Sequence, residues 1–506
     1  MTFGRPFGGR MASVFTPRRE ALALLALALV LGASLRFYRL AHGDLGADDG
    51  ASWAAASAPE LRAVVETEHN LDPGKLALYD ILLHGWIAVF GDGTFAMRAM
   101  SATLGTLAIV LVFAAVREVV LSFAEDPSRA PAAARAAPKA SDAWAEHGER
   151  GPTGDLALLA AAFAAVLYAT NAGMVTADRA VRMYPLVMVA ELLEILFFVR
   201  AQRRGGLGNY VGVALCTAAM IAANFTASFL LVAEGLWLVA LLAVRSTGAR
   251  AGGLAILGPA AALAAGLLLL APMMPDAVAS SAAAVHAGAI DWLRRQPISW
   301  PYTTLRGAAG SHRLFWIFVL LGALGMLWNW PAERLACGFL GLWMVGPLAA
   351  VMAVTYLIRP LEFPRYVIIS FVAMFALAGL GAASIRPPAL RAAVAALLIF
   401  LSLRALHRSQ RHPREAAWGA AAALAERQVP QGARIAAFPA FVVNVVRYYV
   451  PPARRADVVG VQGDCGSARV LILGGRGLYP PQQIARLEAC YPHTVAVLHK
   501  VEVRVR

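Results

Sequence analysis

Stretches of about twenty apolar residues, repeated along most of the chain, constrain this sequence more than any other feature. A helix rises ~1.5 Å per residue, so such a stretch matches the ~30 Å hydrocarbon core of a bilayer. The runs lie near 21–35, 95–123, 155–174, 184–200, 208–225, 228–244, 253–272, 314–330, 335–357, 365–384 and 388–406. They predict a polytopic α-helical membrane protein with about 11 transmembrane helices. The run Leu76–Phe90 would span only ~22 Å, and its apolar residues recur at helical spacing, which fits an interfacial helix. Composition agrees: 59% of the 506 residues are hydrophobic and 15% charged, against about a quarter charged in a soluble domain. Disorder, a coiled coil and an ordinary soluble enzyme are excluded.

The net charge of +14 comes from 45 Lys+Arg against 31 Asp+Glu. These cations flank apolar runs instead of forming a soluble basic domain, so they point to lipid headgroups and not to nucleic acid. Residues 1–20 read as a cytoplasmic N-terminal segment, with Met11 as an alternative start, and no small-residue cleavage site follows the first run. The Ala/Pro-rich stretch 124–155 predicts a flexible cytoplasmic loop. With the N-terminus inside, segments 41–94, 175–183, 273–313 and 358–364 face outward together with the tail. Segment 273–313, holding Asp291, Trp292, Arg294, Arg295, Trp300 and Arg306, is long for a connector and reads as a lid.

The tail, 412–506, changes character. Strands are predicted near 434–438, 457–461, 469–473 and 494–499, with helices near 415–427, 442–449 and 481–490. The order predicts a small outward-facing α/β domain. Cys465 and Cys490 lie in it and can pair on an oxidising side, whereas Cys216 and Cys337 sit inside apolar runs. Gly474-Gly475-Arg476-Gly477 lacks the frame of a phosphate loop and reads as a turn. No serine-hydrolase elbow or zincin motif is present.

Chemistry is concentrated at the outward ends of helices. Asp48-Asp49 places two carboxylates about ten residues beyond the first span, where one can deprotonate a hydroxyl or the pair can hold a metal. Lys75, Arg182 and Arg365 each adjoin a span, and a lipid phosphate would supply acceptors for such cations. Tyr79, Tyr184 and Tyr366 stand nearby, within an aromatic belt that also includes Trp53, Trp86 and Trp300.

The order of these pieces resembles the GT-C superfamily of membrane glycosyltransferases. The nearest likeness is to the protein O-mannosyltransferases and the lipid A aminoarabinose transferase with their bacterial relatives. Asp48-Asp49 resembles the Asp-Glu pair of the first outer loop. Lys75-Leu-Ala-Leu-Tyr79, continued by Trp86 and Arg98, resembles the family's Lys/Pro-Pro-Leu-Tyr stretch. Arg182-Met183-Tyr184 and Arg365-Tyr366 resemble two later signatures. This sequence departs from the pattern in lacking the prolines and in carrying Asp49 where the family has Glu. The likeness covers roughly residues 20–400 and leaves the tail unmatched.

The resemblance implies transfer of a sugar from a polyprenyl-phosphate donor to a glycan, lipid or protein acceptor at the outer membrane face. Asp48 would be the base, with Asp49 beside it and Asp178 a second acid. Lys75, Arg182 and Arg365 would bind the donor phosphate, and Tyr79, Tyr184 and Tyr366 would position donor or sugar. No cofactor is required by the residues, and a divalent cation stays open. The Ala- and Arg-rich style suggests a bacterium with a GC-rich genome, hence an inner membrane. Two other classes compete: a lipid or solute transporter, and a non-catalytic envelope scaffold.

Overall fold

The computed structural model describes residues 16–72, 75–124, 152–245, 254–286, 296–361, 363–411, 416–430, 432–463, 465–476 and 479–506. Met11, most of the 124–155 segment, and Asp291, Trp292, Arg294 and Arg295 lie outside the described residues.

The membrane part is helical throughout. It comprises α1 (Pro17–Phe37), α2 (Ala47–Ala56), α3 (Leu61–Leu71), α4 (Leu78–Phe90), α5 (Thr94–Ala124), α6 (Pro152–Thr170), α7 (Ala172–Ala177), α8 (Tyr184–Arg204), α9 (Leu207–Ala223), α10 (Phe229–Arg245), α11 (Leu254–Leu270), α12 (Met274–His286), α13 (Trp300–Ala308), α14 (His312–Leu357), α15 (Ile368–Ala383) and α16 (Pro388–Arg411). A helix stands at each expected span. By length and composition, however, eight segments of the described helices, two of them in α14, can cross a membrane, or nine if the bent pair α11–α12 is one span. The expected eleven is therefore corrected. Helix α9 has 17 residues, short of a full crossing, and α8 carries Glu191, Glu194 and three arginines. The two runs 314–330 and 335–357 are joined in α14, which kinks at Glu333. Segment 273–313 is not simply a loop, since α12 and α13 lie within it.

Helix α15 is buried along its whole length and sits between α6 and α14. Glycines let it approach so closely: a Cβ at Gly379 would lie 2.5 Å from the Ala160 carbonyl oxygen, and one at Gly381 1.9 Å from that of Leu321. Small residues at such crossings replace the hydrophobic drive that lipid cannot supply. At one end of the bundle, Arg200, Arg203 and Arg204 gather on Glu118 at 3.4–3.7 Å. The loops before α2, α8 and α15 meet at the other end.

The tail continues as α17 (Trp418–Arg427), β1 (Ile435–Phe438), α18 (Val443–Tyr449), β2 (Val458–Gly460), β3 (Val470–Gly474), α19 (Pro481–Cys490), β4 (His493–Leu498) and β5 (Val501–Val505). The sheet order is β2-β1-β3-β5-β4, with β1 parallel to β2 and β3, and β5 antiparallel to β3 and β4. Strand β5 was not anticipated, although Val501, Val503 and Val505 alternate with Glu502 and Arg504 as a half-buried strand should. Phe438, Leu471 and Leu473 on one face pack with Ile484 and Leu487 of α19. Ile435, Val470 and Ile472 on the other join Trp418, Ala421 and Val445 in a core continuous with the membrane part. Cys465 and Cys490 are joined as a disulfide with Cα atoms 5.5 Å apart.

Candidate functional site

Helix α2 follows its N-cap Gly46, and its third residue, Asp49, is tied down twice. One carboxylate oxygen accepts the Gly46 N–H at 3.0 Å, and the other accepts the Val181 N–H at 3.0 Å. Burial pushes the Asp49 carboxyl up, against the Gly46 hydrogen bond and the Arg98 and Arg182 charges. Asp49 is thus an anchor between two loops. Its neighbour Asp48, a third of a helical turn round, faces open space with about half its side chain exposed.

Asp48 Oδ2 accepts from Arg365 Nη1 at 3.0 Å. Arg182 lies behind it, 6% exposed, donating to the Asp48 carbonyl at 3.2 Å, to Ser52 Oγ at 3.4 Å and to Asp72 at 3.3 Å. Desolvation would raise the Asp48 carboxyl, but Arg182, Arg365 and Lys75 outweigh it and hold it below its ordinary range. The opposite charges win because Arg365 is hydrogen-bonded to the carboxyl and the charges of Arg182 and Lys75 add to its pull, while the carboxyl keeps a face to solvent. Arg365 rests over the rings of Phe363 and Tyr184 at 5.1 and 5.6 Å and remains 47% exposed.

These groups form the polar end of a cavity of about 1200 Å³. Asp48, Arg182, Tyr184 and Arg365 line it, with Trp300, Thr303 and Thr304 of α13 as a wall. Ile368 and Phe371 of α15 and Ala405 of α16 also line it. Charged and apolar side chains thus line one cavity, a combination that suits an amphiphilic phosphate.

Other expected residues lie elsewhere. Lys75 is 6% exposed and is paired with Asp72 and, at 3.4 Å, with Glu68, so its charge is compensated inside the protein. Tyr79 is 1% exposed, its hydroxyl bonded to Ser101 Oγ at 3.0 Å. Tyr366 packs against Phe363, with ring centroids 5.6 Å apart. Asp178 is buried against Arg36 at 2.6 Å. None of these four is among the residues lining the cavity.

Sequence reasoning missed Ser52, Glu68 and Asp72 around the cations, as well as Thr303 and Thr304. Glu66, Glu68 and Asp72 follow one another in a polar stretch, and no spacing marks which of them turns inward. Among the described residues no group of three or more His, Cys, Asp or Glu side chains is arranged to hold a metal ion. Both Asp49 oxygens serve backbone N–H groups, and Asp48 and Asp72 serve cations. The donor set does not fit a resident divalent ion, and no step below runs through one.

No protein-family model matches the sequence, and no match is found among curated proteins. Solved structures do match. ArnT from Cupriavidus metallidurans in the apo state gives a TM-score of 0.55 at 13% identity, over 96% of this chain and 97% of that one. The same protein bound to undecaprenyl phosphate gives 0.54 at 12%, over 96% and 98%. The Archaeoglobus fulgidus oligosaccharyltransferase in complex with Zn and sulfate gives 0.54 at 10%, over 93% and 71%. The fold of this membrane protein is therefore the GT-C fold.

Proposed function

We propose that this protein is an integral-membrane glycosyltransferase. It moves a sugar from a polyprenyl-phosphate donor to an acceptor hydroxyl or other nucleophile at the outer face of a bacterial inner membrane. One observation carries the reading: a half-exposed Asp48 stands beside Arg365 and Arg182 in a cavity that the membrane helices also line with Ile368, Phe371 and Ala405. The structural likeness to ArnT, solved with undecaprenyl phosphate, supports this donor class.

The chemistry follows from the charges. The acceptor oxygen attacks the anomeric carbon from the face opposite the phosphate, the carbon–oxygen bond to phosphate breaks, and the configuration inverts. Asp48 takes the acceptor proton, and a base positioned for that transfer contributes about 10²–10⁴-fold. The leaving lipid phosphate gains negative charge, which Arg365 and the better-buried Arg182 stabilise. In the free protein Asp48 occupies Arg365; phosphate oxygens displace it and release the base for the acceptor. Tyr184, against Arg365, orients the donor. Lys75 acts from behind, through Asp72 and Glu68. The disulfide in the tail supports an oxidising outer side for that domain, and a cytoplasmic N-terminus goes with it when the bent pair α11–α12 counts as one span, making nine.

The test is thermal stability of the detergent-purified protein with added undecaprenyl phosphate, against undecaprenol. At one hundred times the dissociation constant the phosphate should add about 2.7 kcal/mol, and Asp48→Asn should retain that gain while abolishing transfer. Equal gains from alcohol and phosphate, or full transfer by Asp48→Asn, would remove the reading. The transporter alternative has one observation in its favour: Glu191, Glu194 and Glu234 are buried within helices of the membrane part. None of them lines the cavity. Substrate-driven exchange across proteoliposomes, lost in Glu194→Gln, would favour transport.

A further inference from the structure

Residues 40–46, which deliver α2 and Asp48, carry no helix or strand of their own. Arg98 holds them from one side, donating to the carbonyls of Leu40, His42, Gly43 and Asp44 at 2.7–3.2 Å. The tail domain holds them from the other. Tyr449 Oη accepts the Leu45 N–H at 2.7 Å, across 404 residues of sequence. Asp44 Oδ2 accepts the Gly419 N–H at 2.7 Å.

Gly419 is the second residue of α17, whose N-cap Ala417 makes no side-chain cap. Asp44 therefore caps a helix of the tail from the membrane part, satisfying one of the donors a helix start leaves open. One turn further along, α2 and α18 touch backbone to backbone: a Cβ at Gly50 would lie 2.5 Å from the Val445 nitrogen.

We propose that the tail domain is a working part of the cleft, with Tyr449 and Asp44 forming a clamp that sets the start of α2 and hence the placement of Asp48. Tyr449 is then a positioning residue. The proposal rests on the reading of Asp48 and the two arginines as the donor site. Leu45 lies three residues, about one helical turn, before Asp48, so freedom at Leu45 passes directly to the carboxylate. It also passes to Arg182 and Arg365, since both are hydrogen-bonded to Asp48. A displacement of about 1 Å at such a centre costs on the order of 10²-fold in rate.

The experiment uses the full chain in nanodiscs and the variants Tyr449→Phe, Asp44→Ala and Asp44→Asn. Amide hydrogen exchange of residues 45–53 is read together with the dissociation constant for undecaprenyl phosphate. Tyr449→Phe keeps the packed ring and removes only the acceptor, and Asp44→Asn keeps an acceptor oxygen. Tyr449→Phe and Asp44→Ala should each raise exchange of 45–53 about tenfold or more and weaken the lipid phosphate about tenfold. Exchange in β1 and β3 should stay slow, and Asp44→Asn should restore both readouts. Unchanged exchange in both variants overturns the clamp. Raised exchange with unchanged affinity overturns its positioning role. If the unaltered protein fails to bind undecaprenyl phosphate, the functional reading fails, while the exchange data still decide whether the clamp exists.

Discussion

Arg365 and Asp48, 317 positions apart, meet at 3.0 Å as an ion pair of which about half of each side chain is exposed. A few ångströms deeper, Arg182 serves the same aspartate through its backbone carbonyl while nearly shut off from solvent. Two guanidiniums thus attend one residue under opposite conditions. Exposure decides which of them is free to exchange its partner for a ligand and which is bound into the fold.

Arg365→Ala should change folding stability by no more than about 1 kcal/mol, because an exposed pair is worth little. Its undecaprenyl phosphate affinity should fall tenfold or more. Arg182→Ala removes a buried guanidinium that ties the Asp48 carbonyl, Ser52 and Asp72 together and should cost about 3 kcal/mol or more, besides losing the lipid. Thermal unfolding and lipid titration of the two variants check the contrast. Equal destabilisation by both would contradict the division of roles.

Glu68 is 1% exposed, and burial pushes its carboxyl up to about 8, against the pull of Lys75. The folded state holds this proton more tightly than the unfolded state. The stability it contributes is therefore complete below the ordinary range near 4.5 and is lost as pH rises through about 8. Asp48 runs the other way: its carboxyl is depressed, so its contribution is present above the ordinary value and is lost on acidification through its lowered one. Melting temperature against pH should fall between roughly 4.5 and 8 less steeply in Glu68→Gln than in the parent. An identical slope would show that Glu68 does not titrate there.

The loop carrying Arg182 is held to the end of α1 by Asp178 and Arg179. Arg36 donates to Asp178, and Arg179 donates to the carbonyls of Leu35 and Tyr38 at 2.8 Å. Breaking the buried Arg36–Asp178 pair with Asp178→Ala should cost about 3–5 kcal/mol. Gly105 leaves room for it, since a Cβ there would stand 2.3 Å from Asp178 Cγ. Gly105→Ala should cost about 1–3 kcal/mol through overpacking. Melting temperatures measure both, and a neutral Gly105→Ala would refute the close contact.

Ala77 stands at φ +57°, in the left-handed region, as the residue before α4. That conformation costs a residue with a Cβ about 1–2 kcal/mol, and proline is confined near −65°. Ala77→Gly should stabilise by about 1 kcal/mol, whereas Ala77→Pro should destabilise by more than that gain. The pair of melting curves would also explain why the prolines of the Pro-Pro-Leu-Tyr stretch have no counterpart here.

What the sequence by itself determined is whatever depends on near neighbours. Apolar runs of bilayer length placed the membrane helices, because backbone polar groups in lipid leave a helix few alternatives. Alternation and turn residues placed four of the five strands of the tail. The ordered signatures around Asp48, Arg182 and Arg365 marked three residues that do converge on one cavity. Tertiary structure decided which polar groups are free. Lys75 carries the same charge as Arg365, yet Asp72, brought round at the end of α3, pairs with it, and Glu68 lies beside it at 3.4 Å. Asp49 differs from Asp48 by one position and about 100° of helix rotation; it too lines the cavity, but that rotation gives its two oxygens to the Gly46 and Val181 N–H groups. The hold of Tyr449 on Leu45 had no local signal at all, because it joins residues 404 apart. A side chain's type is written in the sequence, but its partner is set by packing, and an ion is available for chemistry only where packing leaves it exposed enough to exchange that partner.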